Sequence, residues 1–238
     1  MSTINLDFAL LLALGAGLSI PVGALVSSNL VIGSFCRRKA LDSFVSYFGG
    51  GALLAAVTLV LIPRGVATSS IISTSVSFGM GGLLFWQFSA WAMRTRNTVT
   101  FFAGMVMDFF PEAILLGVAV SNDLVTAYLL TGLIALQNMP EGFAAHHEMQ
   151  ESGVSRRRLW TLFWIAPLIG PVAAGFGFTY LSANDSIVGD IMLFCSGGIL
   201  FLIFQDIAPG AHMKNKSFPA IGAVSGFLLG MAGTMWIH

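Results

Sequence analysis

Met107-Asp108-Phe109-Phe110-Pro111-Glu112-Ala113 lies near the middle of an apolar run at residues 99–121. The next run, residues 124–147, holds a close counterpart: Leu136-Gln137-Asn138-Met139-Pro140-Glu141-Gly142. Each run has the roughly 20 residues that a helix needs to cross hydrocarbon. Each also carries ionisable groups, which cost several kcal/mol there unless paired or hydrated. In both, an oxygen-bearing side chain stands four residues before the glutamate of a Pro-Glu pair, so the two share a helix face. Asp108 and Glu112 point one way from the first helix, and Gln137 and Glu141 do so from the second, with Asn138 as a further amide.

A proline inside a helix leaves the carbonyl four residues back without its donor. Pro111 frees that of Met107, and Pro140 that of Leu136. Freed carbonyls at membrane depth are tolerated where they line a cavity, and they serve as cation ligands. For antiparallel helices rising about 1.5 Å per residue, Asp108 falls level with Glu141, and Glu112 with Gln137. Four convergent oxygen donors, three of them carboxylates, suit a divalent cation. A proton relay, or neutral carboxylic acids hydrogen-bonded between helices, is the alternative.

The rest of the chain has the same character. Of 238 residues, 56% are hydrophobic and 9% charged, against roughly 25% charged in a soluble domain. The sequence predicts an all-α integral membrane protein forming one domain, residues 1–238. Eight transmembrane helices are expected near residues 6–33, 43–63, 71–93, 99–121, 124–147, 159–182, 188–209 and 218–237. The 27 glycines suit close packing of membrane helices. A net charge of zero excludes the basic footprint of a nucleic-acid binder. Cys36 and Cys195 stand far apart and alone, which argues against a disulfide framework or a cysteine zinc site. Met1 to Asp7 lacks the basic start and cleavage site of a signal peptide, so the first segment is expected to be a retained helix.

The cations orient the spans. Sorted between alternate loops, Arg37, Arg38, Lys39, Arg94, Arg96, Arg156, Arg157, Arg158, Lys214 and Lys216 fall on one side and Arg64 alone on the other. By the positive-inside rule both termini lie outside, in a cell membrane. The outer acids Asp7, Asp123, Asp185 and Asp190 read as solvated loop residues, with a weak lure for cations as the sharper alternative.

These residues together resemble the ZIP (Zrt/Irt-like) metal transporters, whose fourth and fifth helices carry His-x-x-Pro-Glu-Gly motifs lining the metal site. Pro111-Glu112 and Pro140-Glu141-Gly142 match that pattern. Gly49-Gly50-Gly51-Ala52-Leu53 running to Pro63 resembles the family's second helix. Gly197-Gly198 running through Gln205-Asp206-Ile207-Ala208-Pro209 resembles its seventh. The resemblance implies an inverted repeat, helices 1–3 and 6–8, around central helices 4 and 5. Asp108 and Gln137 depart from it where histidines are usual. Phe109 replaces a polar residue, Gly170 replaces a sixth-helix glutamate before Pro171, and the long His-rich inner loop is missing. A second adjacent metal position is then lost. An oxygen-only site favours manganese, iron(II) or weakly held zinc over soft ions. An offset of 146 positions, which sets Gly51 on Gly197, Leu54 on Leu200 and Pro63 on Pro209, agrees with an inverted repeat.

Glu148 lies seven residues past Glu141 on the same stripe and offers an exit step. His212 is a candidate partner, while His146 and His147 read as polar groups at a helix end. Asp206 flanks the pathway or pairs structurally. The expected metal-site set is Asp108, Glu112, Gln137, Asn138, Glu141, Glu148 and Asp206. His147-Glu148-Met149-Gln150-Glu151 lacks the final histidine of the zinc-protease pattern. No catalytic pairing stands out, so no enzyme is expected, and there is no phosphate-binding Gly-x-x-x-x-Gly-Lys loop. The expected function is secondary transport of divalent metal ions (zinc, iron(II), manganese or cadmium) towards the cytoplasm. A proton-coupled carrier, or a non-transporting sensor or scaffold, is the alternative. No cofactor is expected. The partners are the metal substrate and the lipid bilayer, with a homodimer left open.

Overall fold

A computed structural model describes residues 6–29, 35–95, 100–212 and 217–237, which are helical almost throughout, with no strand among them. Helix α1 runs Leu6–Asn29. Helix α2 (Phe35–Ala56) passes through a π turn, Val57–Leu61, into α3 (Ile62–Thr68). Then come α4 (Ile71–Thr95), α5 (Thr100–Asn122) and α6 (Leu124–Glu151). Helix α7 (Arg156–Ile165) continues through a 3-10 turn, Ala166–Leu168, into α8 (Ile169–Phe176) and a π turn, Gly177–Leu181. Helix α9 (Asp185–Leu202) passes through a π turn, Ile203–Ile207, into α10 (Ala208–Ala211), and Phe218–Ala220 leads into α11 (Ile221–Ile237).

Seven stretches are long and apolar enough to cross a membrane: Leu6–Asn29, Lys39–Thr68, Ile71–Trp91, Phe102–Asn122, Arg156–Leu181, Asp185–Ile207 and Phe218–Met235. This is the pattern of a multi-pass, all-α membrane protein. Of the eight segments read from the sequence, 124–147 is not among them. Helix α6 has length to spare at 28 residues, but Gln137, Asn138, Glu141, His146, His147 and Glu148 dilute its apolar content. It packs against α1, α2, α5, α7 and α11, and a helix so enclosed turns polar groups to its neighbours rather than to lipid. Arg96, Lys214, Lys216 and residues 1–5, which entered the orientation and leader readings, lie outside the described residues.

Small residues hold the bundle together. In lipid, helices gain little from hiding apolar surface against one another, so close backbone approach takes over. Reciprocal glycines mark four crossings. A methyl group on Gly23 would strike the Met139 carbonyl, and one on Gly142 that of Ile20, where α1 meets α6. Gly117 faces Ala174 and Gly177 faces Ile114, where α5 meets α8 and its π turn. Gly51 with Ala223, and Gly226 with Phe48, do the same for α2 and α11, as do Gly81 with Phe194 and Gly197 with Phe78 for α4 and α9. Thus α1, α5, α6 and α7–α8 pack as one group, and α2–α3, α4, α9 and α11 as another. The groups meet mainly through α2 against α6 and α5 against α9.

Two π turns, Val57–Leu61 and Ile203–Ile207, are each followed within two residues by a proline, Pro63 and Pro209. Each proline denies a hydrogen bond to the carbonyl four back, Leu59 or Gln205, and the widened turn absorbs the ring. The ends of α6 follow from its sequence. Asp123 caps the start, its carboxylate accepting from Val125 N at 3.1 Å and from the Thr126 hydroxyl. Gly153, at φ 77°, turns the chain after the last turn. Two of the acids expected in solvated loops are held within the fold. Asp123 is this cap and pairs with Arg64 at 3.5 Å, while Asp190 belongs to α9 and accepts from Ser69 (3.1 Å) and Ser73 across to α4.

Candidate cation site between two proline-bearing helices

Pro111 and Pro140 both sit inside uninterrupted helices, α5 and α6. The polar cluster forms where these two helices face each other. Asp108 and Glu112 are 6% and 5% exposed, Gln137 1%, and Asn138 is wholly enclosed. The Gln137 amide donates to Glu112 Oε1, so the register read from the sequence holds at this pair. Asp108 lies within electrostatic reach of Glu112, Glu141 and Asp206, and Glu141 within reach of Glu112.

The cluster is rich in acceptors without donors. Asp108 Oδ1, Glu112 Oε2, Gln137 Oε1, Asn138 Oδ1 and both Glu141 carboxylate oxygens are buried atoms with no hydrogen-bond partner, and so is one donor among them, Asn138 Nδ2. Such atoms cost roughly 1–3 kcal/mol each, more when charged, so a cluster of them in an apolar bundle calls for cations or protons. The expected convergence of carboxylates is incomplete, however. Among the described residues, no three His, Cys, Asp or Glu side chains form a group placed to hold a metal ion. Within the cluster, the Gln137 amide nitrogen also ties up one carboxylate oxygen of Glu112.

Access differs between the two ends. Beside Glu112 and Gln137 lies a cavity of about 10 Å³ walled by Ala56, Leu61, Leu115, Leu130, Leu133 and Ile134, room for about one water. Leu115 and Leu130 lie towards the Asn122–Leu124 turn, so apolar side chains seal that direction. In the other direction the carboxylate oxygens of Glu141 are also buried, while Asp206, in the π turn after α9, is exposed. Glu148 is half-buried near Glu151, seven residues beyond Glu141 and outside the central cluster.

Phe109 and Gly170, two of the residues that depart from the expected ZIP-like pattern, meet in space. The wholly buried Phe109 ring sits between Gly17 of α1 and Gly170 of α8. A Cβ on Gly170 would lie 2.6 Å from Phe109 Cζ and 2.8 Å from the Ala13 carbonyl oxygen. The ring therefore occupies the space into which a longer residue at 170 would have to project.

Two residues near these polar groups escaped the sequence reading. Cys195 of α9 is completely buried, and its thiol lies within electrostatic reach of Glu112 and Asp108. Spacing gave no signal for it. Asp42 of α2 accepts from His147 at 3.3 Å, and Glu151 meets the same imidazole nitrogen at 3.4 Å. An acid seven residues before the Gly49–Gly51 run could have flagged Asp42, because Gly49 packs on Pro140 and His147 lies seven residues beyond it. His146 is a packing residue, with Nδ1 3.2 Å from Ser27 Oγ and its ring against Trp160 and Phe163. His212 is exposed at the end of α10. No protein-family model matches the sequence, and no curated protein matches it.

Proposed function

We propose that the chain is a ZIP-like secondary transporter that carries a divalent metal ion (zinc, iron(II), manganese or cadmium) towards the cytoplasm. One observation carries this reading: the Pro-Glu segments of α5 and α6 set Asp108, Glu112, Gln137, Asn138 and Glu141 into one buried cluster of unpartnered oxygens. Carboxylates and amide oxygens are the donors that hard and borderline divalent ions accept. In this reading α6 is the eighth span, both termini lie outside, and the metal leaves past Glu141, Asp206 and Glu148 at the basic end. The apolar seal beyond Glu112 corresponds to a state closed to the outside, and rocking of one helix group against the other would open it.

Repetition within the chain supports a carrier. The π turns at Val57–Leu61 and Ile203–Ile207 are separated by 146 positions, the same offset that relates Gly51 to Gly197 and Pro63 to Pro209. Pro21 of α1 and Pro167 beyond α7 share it too. Inverted repeats with broken helices are the usual architecture of alternating access.

The test is metal uptake into proteoliposomes by the wild type, Glu112→Gln and Glu141→Ala. Saturable uptake lost in both variants, with folding retained, is expected; normal flux in either removes the site assignment. A second reading, a proton-coupled carrier using the same acids, is favoured by the absence of a three-residue metal-holding group among the described residues. Proton flux without metal, abolished by the same variants, would select it.

A further inference from the structure

The polar end of α7 carries a feature that the cation pathway does not use. A shallow groove of about 650 Å³ is lined by Arg156, Arg157, Trp160, Thr161, Trp164 and Ile165. Both arginines are exposed and form no ion pair among the described residues. Ser155, the residue before the helix, makes no side-chain capping hydrogen bond, so the first-turn amides of this ten-residue helix lack a side-chain acceptor. Two exposed guanidinium groups and uncapped amides at one end are donors that an anion accepts. The two indoles are the side chains that settle at a membrane–water boundary.

Below the groove the surface changes character. Trp164, Leu168, Val172, Phe176 and Tyr180, each four residues after the last, are 53%, 57%, 72%, 49% and 72% exposed. They follow α7 through the 3-10 turn into α8 and its π turn, and their exposure makes them an apolar ridge along this segment. Half a hydrocarbon core is about 15 Å, or about ten residues at 1.5 Å each. An acyl chain lying along the ridge from Trp164 would thus end between Val172 and Phe176. Cationic end, indole boundary and apolar ridge follow one another in the order in which a phospholipid presents phosphate, glycerol and acyl chain.

We propose that this groove binds one anionic phosphoglyceride, its phosphate held by Arg156, Arg157 and the start of α7, and an acyl chain laid along the α7–α8 ridge. Arg158 lies outside the groove lining and serves as a control of equal charge. The site does not depend on what the bundle carries.

The test titrates the detergent-solubilised chain with dioleoyl phosphatidylglycerol and with dioleoyl phosphatidylcholine, counting bound lipids by native mass spectrometry. Expected is a first phosphatidylglycerol bound about tenfold to thirtyfold tighter than phosphatidylcholine, the scale of two arginines at an anionic surface. Arg156→Ala with Arg157→Ala should abolish that preference, the double lysine variant should keep most of it, and Arg158→Ala should leave it unchanged. Trp164→Ala should weaken both lipids alike. Equal affinity for the two lipids in the wild type would overturn the proposal. So would a loss from Arg158→Ala as large as from the double variant, since the loop would then act as diffuse charge. Displacement of the bound lipid by glycerol phosphate at equal concentration would also overturn it, by making the site one for free anions.

Discussion

Replacing Phe109 with alanine should destabilise the protein more than a generic core truncation, because nothing nearby is able to refill the space. The ring is wholly buried, and the residues facing it on α1 and α8, Gly17 and Gly170, have no side chains to swing inward. Buried Phe→Ala changes cost roughly 3–5 kcal/mol, rising with the cavity that stays open. For a chain of this size, 1 kcal/mol moves Tm by roughly 2–4 °C, so a fall of about 10 °C is expected. Gly170→Ala tests the same packing from the other side. Its Cβ would approach Phe109 Cζ at 2.6 Å and the Ala13 carbonyl at 2.8 Å, both far inside van der Waals contact. With Phe109→Ala in place the first clash vanishes and the second remains. Gly170→Ala should therefore cost less in that background, yet still cost something, with a coupling of about 1–3 kcal/mol. Thermal unfolding of the four proteins in one detergent, followed by circular dichroism, supplies the cycle. Additive Tm shifts, or a loss under about 2 °C for Phe109→Ala alone, would refute the argument that this ring holds α1, α5 and α8 in register.

Asp108→His should raise the rate of zinc uptake relative to manganese, because imidazole is the better zinc ligand; an unchanged ratio in proteoliposomes would count against Asp108 as a donor. Asp123→Ala should cost about 1 kcal/mol through loss of the α6 cap, while Asp123→Asn, which still caps, should cost less, as thermal unfolding would report. The Thr126 hydroxyl, then the Val125 amide and Arg64, hold the Asp123 carboxyl below its usual range. A lowered acid stabilises the fold above its unfolded value, near pH 4, and that contribution fades as pH falls through the lower folded value. Wild type and Asp123→Ala should accordingly converge in Tm at acid pH, and a constant gap would exclude this origin.

Much of the fold was legible because membrane helices announce themselves by length and composition. Seven of the eight expected segments reappear as long apolar helices, and the eighth, α6, differs for a reason visible in its own residues: it is enclosed by neighbours and so free to be polar. The Pro-Glu segments and their four-residue spacing located the polar cluster, since a shared helix face follows from helical geometry alone. The pairing of Gln137 with Glu112 also followed from an antiparallel register.

Other relations needed the folded chain. No spacing relates Phe109 to Gly170, 61 positions apart, or Cys195 to the carboxylates of α5, because helix rotation and crossing decide which faces meet. Asp190 read as a loop acid, yet it is a helix residue held by Ser69 of the α3–α4 connection and Ser73 of α4. The sequence by itself determined that this chain is an all-helical bundle with acids buried between two proline-bearing helices, since burial cost and helical period are local rules. Which side chains fill the space around those acids, and which of their oxygens stay unpartnered, required the packed bundle. Those outcomes depend on how the reciprocal glycines let distant helices approach.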